Sequence, residues 1–300
     1  MRTMKMLPSL RVAALAFAVS FPAGLAAQGL TYDLRTTGTG VDPRTGAETT
    51  RTFMAGHGQF ATGLSRIDVT ESMSRGGMMG AGTYTITNSV KGTTTIVDPA
   101  KRQYLELNPA EMAKTAAGLQ ELTGGMAKTE ISNVSIGVED LGAGEKIEGY
   151  PTFKYRITQS YTMAMTILGH TTRVVDHSTT EIWVAPELDG AMNPTARPSA
   201  AAATGPMAAL TAELTKAYAK VRKGVLLKRV ATSESATDGK THTQTIAMTI
   251  ANVKRGPVNP SAFDVPAGYT KVASFVDALG PMTGIGDSLR AHRAGRRPRS

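Results

Sequence analysis

The sequence predicts a mainly β domain of the α+β kind, an antiparallel meander whose apolar face is covered by two helices. Three observations carry that expectation. Threonine supplies 40 of the 300 residues, and many threonines alternate with apolar side chains in the two-residue period of a half-buried strand. About nine strand-like segments are joined by short turns. Only two helix-like segments interrupt them, which excludes the strict strand–helix alternation of a doubly wound parallel sheet. With no second set of strands left over, the helices are the only cover for the apolar face.

Taken in order, residues 30–37 alternate as a strand, and residues 38–46, with Asp42-Pro43, read as a turn-rich loop. Residues 64–69 alternate again, with Ile67 and Val69 opposite Arg66 and Asp68. A Gly/Met loop over 74–82 leads to strands at 83–87 and 93–97, and Asp98-Pro99-Ala100-Lys101 turns the chain into 102–107. A first helix starts at Asn108, a capping residue, with Pro109 at its first position and Glu111 where a capping box wants an acid; Met112, Ala116 and Leu119 form its stripe and Gly124-Gly125 stop it. The longest strand signal spans 153–165, where Phe153, Tyr155, Ile157, Gln159, Tyr161, Met163 and Met165 take every second position. Gly169-His170 turns it into 171–175, and 180–184 continues the run. Residues 189–205 form a long loop or lid. The second helix covers 206–223, with Met207, Leu210, Leu214, Ala217 and Val221 on its buried side and Gly224 as its stop. Strands at 225–230 and 243–253 follow, then a closing 263–269 segment and a weak helix over 274–279.

Residues 1–27 have the makeup of a secretory signal peptide: Arg2, Lys5 and Arg11, a ten-residue apolar run over 12–21, and a small-residue exit at Gly24-Leu25-Ala26-Ala27. The run is half of the roughly 20 residues that span a bilayer. The expected organisation is a signal over 1–27, one β domain over 28–273, and a short helix with an unstructured arginine-rich tail over 274–300. The expected location is the periplasm, as a soluble protein without a lipid anchor. Charge is distributed accordingly. Loss of Arg2, Lys5 and Arg11 lowers the formal charge from +9 to +6, and Arg290, Arg293, Arg296, Arg297 and Arg299 account for all but one of those six. A nucleic-acid-binding protein would spread basic residues over a folded face with aromatics among them, so nucleic acid is excluded as a partner. The tail's own candidate partner is an anionic membrane or polysaccharide surface.

Four segments together resemble a known family. They are Thr95-Ile96-Val97-Asp98 with Tyr104-Leu105-Glu106-Leu107-Asn108-Pro109; Ile147-Glu148-Gly149-Tyr150-Pro151 with Tyr155; Thr180-Glu181-Ile182-Trp183-Val184-Ala185; and Phe263-Asp264-Val265-Pro266-Ala267-Gly268-Tyr269. In order and spacing they resemble the exported bacterial proteins of the domain of unknown function 4412 family and, more distantly, lipoprotein carriers of the LolA/LolB type. The resemblance covers roughly residues 28–273. It implies a strongly curved antiparallel sheet, a LolA-like half-barrel whose concave face is plugged by helices and receives acyl chains. This chain departs from the anchored LolB-type pattern in having no cysteine to take a lipid.

Chemistry points to binding and not to catalysis. The absence of cysteine removes thiolate metal sites and cysteine nucleophiles. The five histidines are scattered, with no pair at ligand spacing, and Asp176-His177 are strand neighbours that point to opposite faces. Ser65 lacks the second glycine of a nucleophile elbow. Met73, Met78 and Met79 read as gap-filling methionines and not as a copper site. No cofactor and no metal is expected. The candidate ligand-binding wall comprises Tyr155, Ile157, Met163, Met165, Ile182, Val184, Ile246, Met248 and Ile250, with Met207, Leu210 and Leu214 as the helical plug. Its ligand would be a lipid or a lipidated protein. The alternative is a structural envelope module with a filled core and a basic tail on anionic surfaces.

Overall fold

The computed structural model describes residues 27–41, 47–61, 63–73, 80–108, 127–167, 170–188, 208–237 and 240–272. They build one open sheet of twelve strands: β1 (Ala27–Val41), β2 (Glu48–Ala61), β3 (Leu64–Ser72), β4 (Tyr84–Asn88), β5 (Thr93–Asp98), β6 (Gln103–Leu107), β7 (Ala127–Ala143), β8 (Phe153–Ile167), β9 (His170–Ala185), β10 (Val225–Thr237), β11 (Lys240–Val258) and β12 (Thr270–Lys271). A helix, α1 (Ala208–Tyr218), and a 3₁₀ turn over Pro260–Phe263 are the helical pieces among the described residues. The spatial order is β12-β6-β5-β4-β3-β2-β1-β11-β10-β9-β8-β7. Every neighbouring pair is antiparallel except β12 with β6. Two sequential meanders are therefore joined at the centre, where β1 lies along β11.

This corrects the predicted fold class. The chain is a mostly β protein with one described helix on a twelve-stranded open sheet, not an α+β sheet covered on a concave face by two helices. The second predicted helix forms over Ala208–Tyr218 and ends short of the predicted Lys223, with Leu210, Thr211 and Ala217 buried. The first predicted helix beyond Asn108, residues 1–26 of the predicted signal peptide, the whole 189–205 loop and the 274–300 tail lie outside the described residues, and Ala27 opens β1.

Two long strands escaped the sequence pattern, for physical reasons, as did the two-residue β12. β7 changes phase in mid-run: Asn133 has a left-handed φ of 55°, and the pairing with β8 shifts between Ser132 and Ser135. A bulge of this kind moves the apolar residues from odd positions (Ile131) to even ones (Ile136, Val138), which erases the alternation. β2 carries Gly56 and Gly58, residues that weaken an isolated strand. Gly58 is required by packing, because a Cβ there would stand 2.1 Å from the ring of Tyr32 on β1.

The core occupies one end of the long strands and both faces of the short-stranded end. On the helix-bearing face, Tyr155, Ile157, Ile182, Val184 and Leu226 cluster beneath Tyr218 and Val221. Leu30, Tyr32, Leu34, Phe60, Leu227 and Ile250 continue that layer across β1, β2, β10 and β11, with Met248 bridging the two clusters. On the opposite face, Tyr84, Ile86 and Val97 are covered by Phe263, Val265 and Tyr269 of the C-terminal segment. The β5–β6 turn forms as predicted: the Lys101 amide donates to the Asp98 carboxylate at 3.2 Å, and the Lys101 ammonium pairs with it at 3.2 Å.

Candidate functional site

Register decides which of the twelve predicted wall residues meet. One transverse row of the helix-bearing face runs Phe153, Val184, Leu226 on β8, β9 and β10, and continues as Ile250, Leu34, Gly56 and Val69 on β11, β1, β2 and β3. The next row holds Tyr155, Ile182, Arg229 and Met248. A third holds Val138, Ile157, Thr180, Ala231 and Ile246. Tyr155, Ile157, Ile182, Val184 and Ile250 are thus brought together and buried, with Leu210 buried on the helix, while Leu214, Ile246 and Met248 are half-buried.

Met163 and Met165 are not part of that wall. Two polar rows intervene: Gln159, Ser178, Ser233 and Gln244, then Tyr161, Asp176, Ser235 and His242. The Ser235 hydroxyl donates to the Asp176 carboxylate at 2.8 Å, so this belt carries its own hydrogen bonding. Beyond it Met163 is half-buried and Met165 is exposed, beside Ile131 and Val174. The alternation through 153–165 places the side chains on one face correctly, but a face is not a wall. The polarity of neighbouring strands, unreadable without register, divides it. Met207 and the tail arginines Arg290, Arg293, Arg296, Arg297 and Arg299 lie outside the described residues.

The apolar wall contains two polar atoms with no partner among the described residues. The phenolic oxygens of Tyr155 and Tyr32 are buried without a hydrogen bond. A third orphan, the Tyr84 hydroxyl, belongs to the far cluster, where the Arg66 guanidinium lies 3.8 Å from the ring centroid. Burial pushes the Tyr32 phenol up to about 12 and raises those of Tyr84 and Tyr218. An acid weakened by folding holds its proton longer in the folded state. Its contribution is complete below the ordinary tyrosine value of about 10 and is lost as pH rises toward 12. The unfolding free energy from urea titrations is therefore expected to be flat from pH 8 to 9.5 and to fall above pH 10, by about 1 kcal/mol per pH unit for Tyr32. Tyr32→Phe should flatten that decline, and an unchanged slope in the variant would refute the assignment.

Over the long strands β7 to β10 the opposite face is polar and ion-paired. Trp183 lies between two ammonium groups, with Lys154 and Lys228 Nζ each 4.6 Å from its ring. Lys154 pairs with Glu181 at 2.8 Å, and Arg156 bridges Glu181 (3.2 Å) and Glu139 (3.1 Å). The hydrogen bond from Lys154, followed by that from Arg156, holds the Glu181 carboxyl below its ordinary range.

One constellation on this face was missed by sequence reasoning. Asp33 and His57 stand directly opposite each other in the β1–β2 register, with Asp33 Oδ1 2.5 Å from His57 Nδ1. The Asn252 amide, on a bulged residue with φ of 54°, donates to Asp33 Oδ2 at 2.7 Å. The Asn252 bond and then His57 lower the Asp33 pKa. A carboxylate-held imidazole is the base half of a hydrolytic constellation. The hydroxyls lining the same hollow, Thr70 and Thr249, make no hydrogen bond to His57. Finding this pair from sequence required β2 and its register, and neither was legible. Among the described residues, no three His, Asp or Glu side chains converge as a metal site. No described helix is long and apolar enough to cross a membrane.

Comparison with known proteins gives little to add to this geometry. No family model matches the chain, and no curated protein matches it. Among solved structures, one of PNGF-II in space group C2 aligns at 10% identity over 89% of this chain and 34% of that one, with a TM-score of 0.33. The chain spans about a third of the length of that solved chain.

Proposed function

We propose that the protein is an exported, non-enzymatic periplasmic protein that binds an apolar ligand bearing a hydrogen-bond acceptor, a lipid or a lipidated protein, against the helix-bearing face. The observation that carries this reading is the buried, unpartnered hydroxyl of Tyr155, seconded by that of Tyr32. An unsatisfied buried hydroxyl costs on the order of 1–3 kcal/mol, and a phenol can donate to the carbonyl of an ester or amide. An aliphatic wall with donors awaiting an acceptor matches an acyl chain with its ester. Met248 and Ile246, in the same rows as Tyr155 and Ile157, are half-buried, and the helix over the wall has only eleven residues, so side-chain motion can repack this margin.

The competing reading, a structural envelope module with a filled core, draws on the complete burial of Tyr155, Ile182 and Leu227. The experiment that separates the two is native mass spectrometry of the purified mature protein, with displacement of a fluorescent fatty acid. Co-purifying lipid and saturable probe binding are expected. Tyr155→Phe should weaken the probe about 3- to 10-fold, the worth of one hydrogen bond, while leaving the thermal midpoint unchanged or raised. An empty protein that binds no probe would establish the structural module instead.

A further inference from the structure

On the face opposite the helix, six threonines fall into one transverse row. Thr50, Thr39, Thr245, Thr232, Thr179 and Thr158 are successive register partners on β2, β1, β11, β10, β9 and β8. At strand spacings of about 4.8 Å the row is roughly 24 Å long. Its hydroxyls are organised: Thr39 and Thr50 hydrogen-bond through their Oγ1 atoms at 2.9 Å, as do Thr232 and Thr245 at 3.1 Å. Thr50, Thr158, Thr179 and Thr232 are exposed. The β8 end of the row is kept open by Gly137, the partner of Thr158, where a Cβ would stand 2.7 Å from Thr158 Oγ1.

Three members of the row, Thr158, Thr179 and Thr232, floor a concavity. Between them and the next row, Ser160, His177 and Glu234, lies a trough of about 450 Å³ that also takes in Ser135. We propose that this trough binds a neutral glycan, an unbranched chain of sugar rings lying across the strands, at a site separate from the apolar wall.

The lining selects that chemistry. Each hydroxyl both donates and accepts, which is the demand of a polyol. The β-branched threonines hold few rotamers, so little side-chain freedom is lost on contact. No lysine or arginine lines the trough, and the Glu234 carboxylate stands in it, which disfavours polyanions such as nucleic acid. No leucine, isoleucine, valine or methionine lines it to pack an acyl chain. No aromatic platform lies in the lining, so affinity comes from many weak contacts along the row and should grow with chain length.

The test titrates the intact mature protein with maltohexaose, cellohexaose and chitohexaose and with the matching disaccharides, followed by backbone amide shifts. At least one hexasaccharide should bind in the millimolar range or tighter, and at least 10-fold tighter than its disaccharide, with shifts at Thr158, Thr179 and Thr232. The double variant Thr179→Val/Thr232→Val keeps the branched shape of the strand residues and should weaken binding at least 10-fold. Thr166→Val, whose hydroxyl pairs with Thr171 away from the trough, should not. Should the double variant unfold, Glu234→Gln serves as the second probe and should alter affinity at least 3-fold. No binding by any hexasaccharide, or binding unmoved by the trough variants, overturns the proposal. Because the fatty-acid probe reads the other face, failure here leaves the apolar-ligand reading untouched.

Discussion

Ile182→Ala should destabilise the protein by about 2–5 kcal/mol, while Met163→Ala should cost less than about 1 kcal/mol. Both positions belong to the same predicted apolar wall and lie on the same face of the sheet. Ile182 is 1% exposed and packed among Tyr155, Ile157, Val184 and Leu226, so its removal leaves a cavity that flanking strands, tied by their ladders, cannot close. Met163 is half-buried beyond two polar rows, and its truncation mainly re-exposes a surface to water. For a domain of this size each kcal/mol moves the thermal midpoint by about 2–4 °C, so scanning calorimetry resolves the contrast easily. Equal losses at the two sites would mean that the core extends through the polar belt.

A comparable loss is expected from adding a single methyl group. In Gly29→Ala the new Cβ would stand 2.1 Å from the backbone oxygen of Phe60 and 2.6 Å from Val258 Cγ2. The obstruction is main chain in β2 on one side and a buried side chain of β11 on the other, so neither can rotate away. Overpacking of this kind costs about 1–3 kcal/mol, and more where backbone must move; a loss of about 3 kcal/mol or more is expected. Gly40→Ala, on the same strand, is the internal control, since nothing lies within 4 Å of a Cβ there. A change within about 0.5 kcal/mol is expected at Gly40, measured by urea unfolding. The pair tests the central junction of the sheet, where β1 joins β2 to β11. If Gly29→Ala were as benign as Gly40→Ala, that three-strand seam would be looser than its register requires.

The residues themselves show how much of this was legible beforehand. The alternation of Phe153 through Met165 is local information: a strand sends every second side chain to one face whatever surrounds it, so strand and face could be read directly. The Asp98–Lys101 turn was readable on the same grounds, because its acceptor and donors lie within three residues. β7 was hidden because a bulge at Asn133 changes the phase of its pattern, and β2 because Gly58 answers to the ring of Tyr32 on β1 and Gly56 to the Asp68 backbone on β3. The candidate sites followed the same division. The buried set around Tyr155 and Ile182 was identified from side-chain type. The polar belt that cuts Met163 away from it, the Asp33–His57–Asn252 cluster and the six-threonine row exist only through pairings between residues 7 to 219 positions apart.

By itself, then, the chain's order of residues determined that this is a strand-dominated protein, which positions along each strand share a face, and where several of its turns lie. Those properties depend on backbone geometry and on neighbours within a few residues. Only the tertiary structure decided that the strands number twelve in one open sheet, that β1 lies beside β11, and which side chains stand in line across it. The reason is that a sheet has two periodicities. The one along the strand is written in the sequence, whereas the one across the strands is set by register. A slip of a single residue would exchange the threonine row for the apolar wall.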